Sequence, residues 1–221
     1  MIHFHIVTLF PETIDAYLKS SIIGRAREKK LIKVSYYDPK KFVYPERSRR
    51  AGDIRVDRRP YGGGPGMILA PEPILRACDK ALKGKKNVEK IFFSTDGEAF
   101  DEAQAKKLSK KQDILLISGR YEGVDARVQK ILKAKKISVG PYVLTGGELP
   151  AATVVDAVTR FIPGALGKIE SLERSRVSSP EVYTRPEILV WKGKKYRVPK
   201  VLLTGHHAKI DEWKKSRNPG G

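Results

Sequence analysis

The sequence predicts an α/β fold with a parallel-rich sheet, and three observations carry that reading. Short apolar runs alternate with amphipathic stretches from residue 2 to residue 162, the rhythm of strands alternating with helices. The run DILLIS (113–118) is continuously apolar at its centre, as a strand covered on both faces must be. Glycine punctuates three strand ends, in TDG (95–97), GRYEG (119–123) and VGPYVLTGG (139–147).

Taken in order, IHFHIV (2–7) reads as the first strand, and a turn at Phe10-Pro11 leads into the helix ETIDAYLKS. LIKVSYY (31–37) is the next strand. The irregular stretch from Asp38 to Gly66 is too long for a plain connector and reads as a functional loop. APEPILRACDKALK has proline early and apolar residues at helical spacing. EKIFFS (89–94) is a strand that ends in the turn TDG. DEAQAKKLSKK is a helix with acids first and lysines last, matching the helix dipole. After DILLIS and GRYEG come the helix VDARVQKILK, the short strand KISV (136–139) and the helix ELPAATVVDAVTRFI (148–162). Beyond Pro163 periodicity fades into a polar linker, and a C-terminal segment offers EILVWKG and an amphipathic final helix within KVLLTGHHAKIDEWKK.

At 221 residues the chain has room for one large domain, or one domain with an appendage. No apolar run approaches the roughly 20 residues that span a bilayer, the N-terminus lacks a basic leader and cleavage site, and Cys78 is the single cysteine. These features predict a cytoplasmic protein with no membrane partner and no disulfide framework. Lys and Arg number 44 against 25 Asp and Glu, a net charge of +19. Such a field favours a polyanion, although a solubility charge or a lysine-biased genome gives the same count. Six arginines fall between Arg47 and Arg59, mixed with turn residues.

Bare backbone at the ends of parallel strands suits a ligand cleft for something flat and polar, such as an adenosine, or else each glycine merely serves a tight turn. No G-x-G-x-x-G or Walker pattern is present, the four histidines lack HExxH spacing, and no G-x-S-x-G elbow occurs. No metal site is expected, and His3 and His5, on one face of the first strand, read as structural. The residues read by themselves stop at a basic α/β protein with a glycine-lined cleft.

VTLFPE (7–12), RPYGGGPGM (59–67), SGRYEGVD (118–125), SVGPYVLTGGELPA (138–151), RFIPG (160–164) and YTRPE (183–187) follow one another with spacing that closely resembles the bacterial tRNA (guanine-N1)-methyltransferase family, TrmD, of the SPOUT class. The resemblance runs from Ile2 to about Trp213. It implies a deep trefoil knot, a rare exception to the rule against threaded chains, in an α/β domain over 1–162. An interdomain linker (163–184) and a short, truncated helical tRNA-binding segment (185–221) would follow. It implies S-adenosylmethionine as methyl donor, tRNA with guanosine 37 as substrate, and a homodimer whose active site is shared between subunits. Family members are reported to use magnesium, and no ligand cluster in the sequence marks a place for it.

Residue by residue, the resemblance implies donor contacts from Phe93, Ser94, Gly119, Tyr121, Glu122, Val139, Gly140, Tyr142, Leu144, Gly146, Gly147 and Pro150. Arg59, Tyr61, Gly62, Gly63, Gly64 and His207 would face tRNA. Guanine N1 carries a proton at neutral pH, so the reaction needs a base there and a donor for charge growing on O6. Arg160 matches the family's O6 arginine, Glu122 an acid that holds the base or else a solvated turn residue, and Asp57 an aspartate near the target. The family's general base is an aspartate in the linker, and SLERSRV (171–177) puts Ser175 there. Glu173 is the nearest carboxylate and takes the role in this reading, with Glu170 a weaker candidate. The family also usually has a second acid where Arg58 stands. An impaired protein that binds donor and RNA without catalysis is the alternative.

Overall fold

Alternate residues of strand β1 (Ile2–Val7) look to opposite sides of the sheet, and the two sides have different covers. Ile2, Phe4 and Ile6 pack with Ile14 and Leu18 of helix α1 (Glu12–Leu18) and with Ile23 and Ala26 of α2 (Ser21–Glu28). Val7 and the following Leu9 belong to the opposite cluster, under α3 (Pro71–Leu82). The computed structural model describes residues 1–43, 55–166 and 181–217. They fall into two units, Met1–Leu166 and Gly167–Gly221.

In the first unit β1 is flanked by β2 (Ile32–Tyr37) and β6 (Asp113–Ile117), with β5 (Glu89–Ala99) and β7 (Lys135–Ser138) beyond. The order is β2-β1-β6-β5-β7, and every pairing is parallel. The centre of β6 explains its apolar run: Ile114 and Leu116 join one cluster, Leu115 and Ile117 the other, all fully buried. α4 (Glu102–Leu108) and α6 (Glu148–Thr159) complete the cover on the α1 side, while α5 (Ala126–Leu132) lies with α3. Asp101 and Asp125 cap α4 and α5, each accepting a backbone N–H of the first turn.

Three local expectations need correction. The residues TDG do not end a strand. Phe93 and Glu98 both pair with Ile137, so residues 94–97 bulge outward and β5 resumes beyond them. Gly97 permits the crossing, since a Cβ there would lie 2.6 Å from the Ile137 backbone. A second helix, α2, occupies SIIGRARE directly after α1. The C-terminal unit is not simply helical: β8 (Ile188–Trp191) and β9 (Lys194–Arg197) form an antiparallel hairpin before α7 (His207–Ser216). Lys192 and Gly193 turn it, with φ of +48° and +74°, the signs of a type I′ turn. No described residue of this unit is buried.

A two-stranded ribbon, β3 (Asp57–Arg58) with β4 (Ile68–Leu69), closes the glycine-rich loop between them. Within the first unit it is stitched to the loop after β6, because Leu69 donates to Gly123 O and Asp125 donates to Leu69 O.

Candidate functional site

Parallel strands run toward the same side, so the bulge in β5 meets the loops after β6 and β7 at one edge of the sheet. They enclose a cleft of about 430 Å³. The bulge brings Phe93, Ser94 and Thr95 to one wall. Gly119, Tyr121 and Glu122 come from the loop after β6, and Val139, Gly140, Tyr142, Leu144, Gly146, Gly147 and Pro150 from the segment joining β7 to α6. All twelve residues expected around the donor therefore line a single cavity.

Buried chemistry fixes these loops. Arg120 Nε approaches Glu148 Oε2 to 2.9 Å, an ion contact rather than an aligned hydrogen bond. The other carboxylate oxygen accepts from Thr8 Oγ1 at 2.7 Å, and that hydroxyl oxygen accepts the backbone N–H of Phe10. The Arg120 guanidinium lies over the Phe10 ring, 4.8 Å from its centroid. The sequence VTLFPE thus supports the cleft from behind. Ser118 donates to Gly147 O, and Gly147 donates to Gly119 O at 2.8 Å, joining the two loops directly. At the bulge, Lys136 and Ser94 hydrogen-bond to Asp96 and hold its carboxyl below the usual carboxylate range.

The two glycine-rich stretches serve different physical needs. In YVLTGGELPA, space is the constraint: a Cβ on Gly147 would stand 2.6 Å from Ser118 Cα. In RPYGGGPGM, conformation is the constraint. Gly62, Gly63 and Gly64 have φ of +85°, +80° and +107°, with nothing within 4 Å of a Cβ. Gly66 meets both demands, for at φ +84° its Cβ would lie 2.5 Å from Glu122 Cγ. Glu122 also donates its N–H to Met67 O, so it sits at the seam between the cleft and the glycine-rich loop.

Within the first unit, the other expected residues do not line the cleft. Arg59, Tyr61 and the three glycines are on the loop beyond β3, with Tyr61 fully exposed. Asp57 is buried in β3, where its carboxylate accepts from Arg55 Nε at 3.1 Å. Arg160 caps the carboxyl end of α6, whereas the cleft adjoins the amino end of that helix. Ten residues separate it from Pro150, about 15 Å along the axis. His207 begins α7 in the second unit. Glu173, with Glu170 and Ser175, lies outside the described residues.

Sequence reasoning passed over Arg120, Glu148 and Thr8. Their motifs are visible, but an ion pair between a loop and a helix start twenty-eight positions apart leaves no periodic trace.

A profile of the family described as "tRNA (Guanine-1)-methyltransferase TrmD" matches residues 2–219. A tRNA (guanine-N(1)-)-methyltransferase of Clostridioides difficile is 39% identical, over 97% of this chain and 91% of that protein. The protein of the same description from Dictyoglomus turgidum is 42% identical, over 97% of this chain and 84% of its own. Among solved structures, the tRNA (m1G37) methyltransferase from Aquifex aeolicus superposes with a TM-score of 0.76 at 38% identity, covering 96% of this chain and 87% of that one.

Proposed function

The chain belongs to the tRNA (guanine-1)-methyltransferase family, TrmD, and from that premise we propose that it transfers a methyl group from S-adenosylmethionine to N1 of guanosine 37 in tRNA. The observation that carries the reading is the cleft formed by the β5 bulge and the loops after β6 and β7, walled by apolar side chains and by backbone where no Cβ fits. Such walls suit a flat nucleoside: Val139, Leu144 and Pro150 offer apolar surface, and backbone at Gly119 and Gly140 offers polar edges.

When bound, the donor supplies an electrophilic methyl on a sulfonium. The chain's own residues do the rest. Glu122, at the seam, orients the guanine that enters beside the glycine-rich loop. Arg160 donates to O6 as negative charge grows there, and Glu173 accepts the N1 proton. Asp57 holds the base of that loop through β3. Arg59, Tyr61, Gly62, Gly63, Gly64 and His207 contact tRNA.

Arg160 lies too far along α6 to serve the cleft of its own chain. This supports a homodimer in which Arg160 of the partner subunit completes each site. Rim residues Tyr142, Val143 and Leu149 are large, apolar and exposed, as a self-association surface would be. The same reading includes the trefoil knot, the 1–162, 163–184 and 185–221 division and a cytoplasmic setting. Among the described residues no helix is long and apolar enough to cross a membrane. Among the described residues no cluster of metal-ligating side chains gathers at the cleft.

The test is methyl transfer to a transcript carrying G36-G37 beside one with G37→A. Product from the first alone supports the proposal. Product from both, or from neither despite calorimetric donor binding, removes it; the last result favours the non-catalytic alternative raised by Ser175.

A further inference from the structure

The amino-terminal edge of the sheet, roughly 15 Å from the strand ends that carry the cleft, holds a polar cluster with no part in methyl transfer. His3 and His5 share one face of β1, the face that would continue the apolar layer under α3. Asp113, the first residue of β6, is paired with His3 across the parallel ladder. Parallel register places one carboxylate against two imidazoles: His5 Nε2 is 2.8 Å from Asp113 Oδ1, and His3 Nδ1 is 3.9 Å from the same oxygen.

We propose that His3, His5 and Asp113 form a binding site for a divalent transition metal ion of the zinc class. One ligand atom from each residue lies within 4.8 Å of the other two, so small side-chain shifts bring them around one ion. Two imidazoles and a carboxylate match the ligand preference of zinc, and three protein ligands leave a fourth position for water. The outer shell is already built. His3 Nε2 is 2.8 Å from Ser35 Oγ, and His5 Nδ1 is 3.0 Å from Tyr37 Oη. Each hydroxyl lies on β2 and can accept the proton that the ring keeps when its other nitrogen binds metal. His5 is fully buried, which fixes its ring.

One group stands in the way. Lys85 Nζ is 2.7 Å from Asp113 Oδ1 and occupies the cation position itself. Its flexible stem lets the ammonium withdraw to water when an ion arrives. With Nε2 on the ion, His5 would present Nδ1–H to Tyr37 Oη. Lys85 and Lys33 both oppose a cation, which places the affinity in the micromolar range rather than that of a closed structural site.

The experiment titrates untagged full-length protein with zinc by calorimetry and with cobalt(II) by visible absorption. One equivalent should bind with Kd on the order of 10 μM, with cobalt bands of a four-coordinate nitrogen and oxygen site. His3→Gln should weaken zinc at least tenfold, and Lys85→Ala should tighten it severalfold; both positions are partly exposed, so both variants should fold. Asp113→Asn gives a third arm. His206→Ala/His207→Ala should leave binding unchanged. Absence of binding in the wild type and in Lys85→Ala, or binding lost only in the His206/His207 variant, overturns the proposal.

Discussion

Arg120 and Glu148 meet at 2.9 Å behind the cleft, with the Glu148 side chain 3% exposed; Arg120 lies in the loop after β6 and Glu148 opens α6, directly after the 139–147 segment. Removing one charge leaves the other uncompensated in a dry setting. Glu148→Ala should cost about 3 kcal/mol in denaturant unfolding, near the low end for a broken buried pair because Arg120 reaches partly to solvent. Replacing both residues by methionine should recover much of that stability while donor affinity, read by calorimetry, stays impaired. Equal recovery of both would mean that the pair stabilises the fold without positioning the loops.

Glycines of the two stretches should fail in different ways. Gly147→Ala forces backbone apart between the two loops, so donor affinity should drop at least tenfold. Gly64→Ala meets only open space and should cost about 1–2 kcal/mol of stability through its positive φ, with donor affinity little changed. Calorimetry and unfolding on the same pair of variants separate the effects.

Arg160→Ala should abolish turnover and leave donor binding intact, because the residue is remote from its own cleft. At donor concentrations too low to fill the Gly147→Ala cleft, co-expression with that variant should restore roughly a quarter of wild-type activity, since statistical mixing makes half the dimers mixed, each with one complete site. No restoration would argue for a site contained within one chain.

Cys78 is fully buried on α3, and burial pushes its thiol up to about 12. Its reaction with an aromatic disulfide reagent at pH 8 should proceed only as fast as the domain opens, and denaturant should accelerate it. Rapid labelling in native buffer would show that the α3 layer opens locally.

Much of this architecture could be read from residue order. The apolar centre of β6 and the glycines after it announce a buried strand and a bare loop, and the structure places both where expected. Other features left weaker marks. SIIGRARE carries a glycine and opens on a left-handed Ser21, so it has no clean helical signature. Lys192-Gly193 is not among the commonest hairpin dipeptides, and β8 and β9 are too exposed to show alternation. TDG has the composition of a turn, and only the tertiary pairing of Phe93 and Glu98 to the same Ile137 reveals a bulge. The Arg120–Glu148 contact depends on where two loops meet in space, which no local pattern records. Glu173 falls outside the described residues.

That bulge also limits how a ligand can come and go. Residues 94–97 are tied at both ends, because β5 is hydrogen-bonded to β7 before and after them, and Lys135 and Lys136 pin Glu98 and Asp96 at 2.7 Å. Pairing at both ends makes this side of the cavity harder to open than a free loop. A crosslink restraining the 139–147 segment should therefore slow exchange of a bound nucleoside more than one across the bulge; equal slowing would reject this asymmetry.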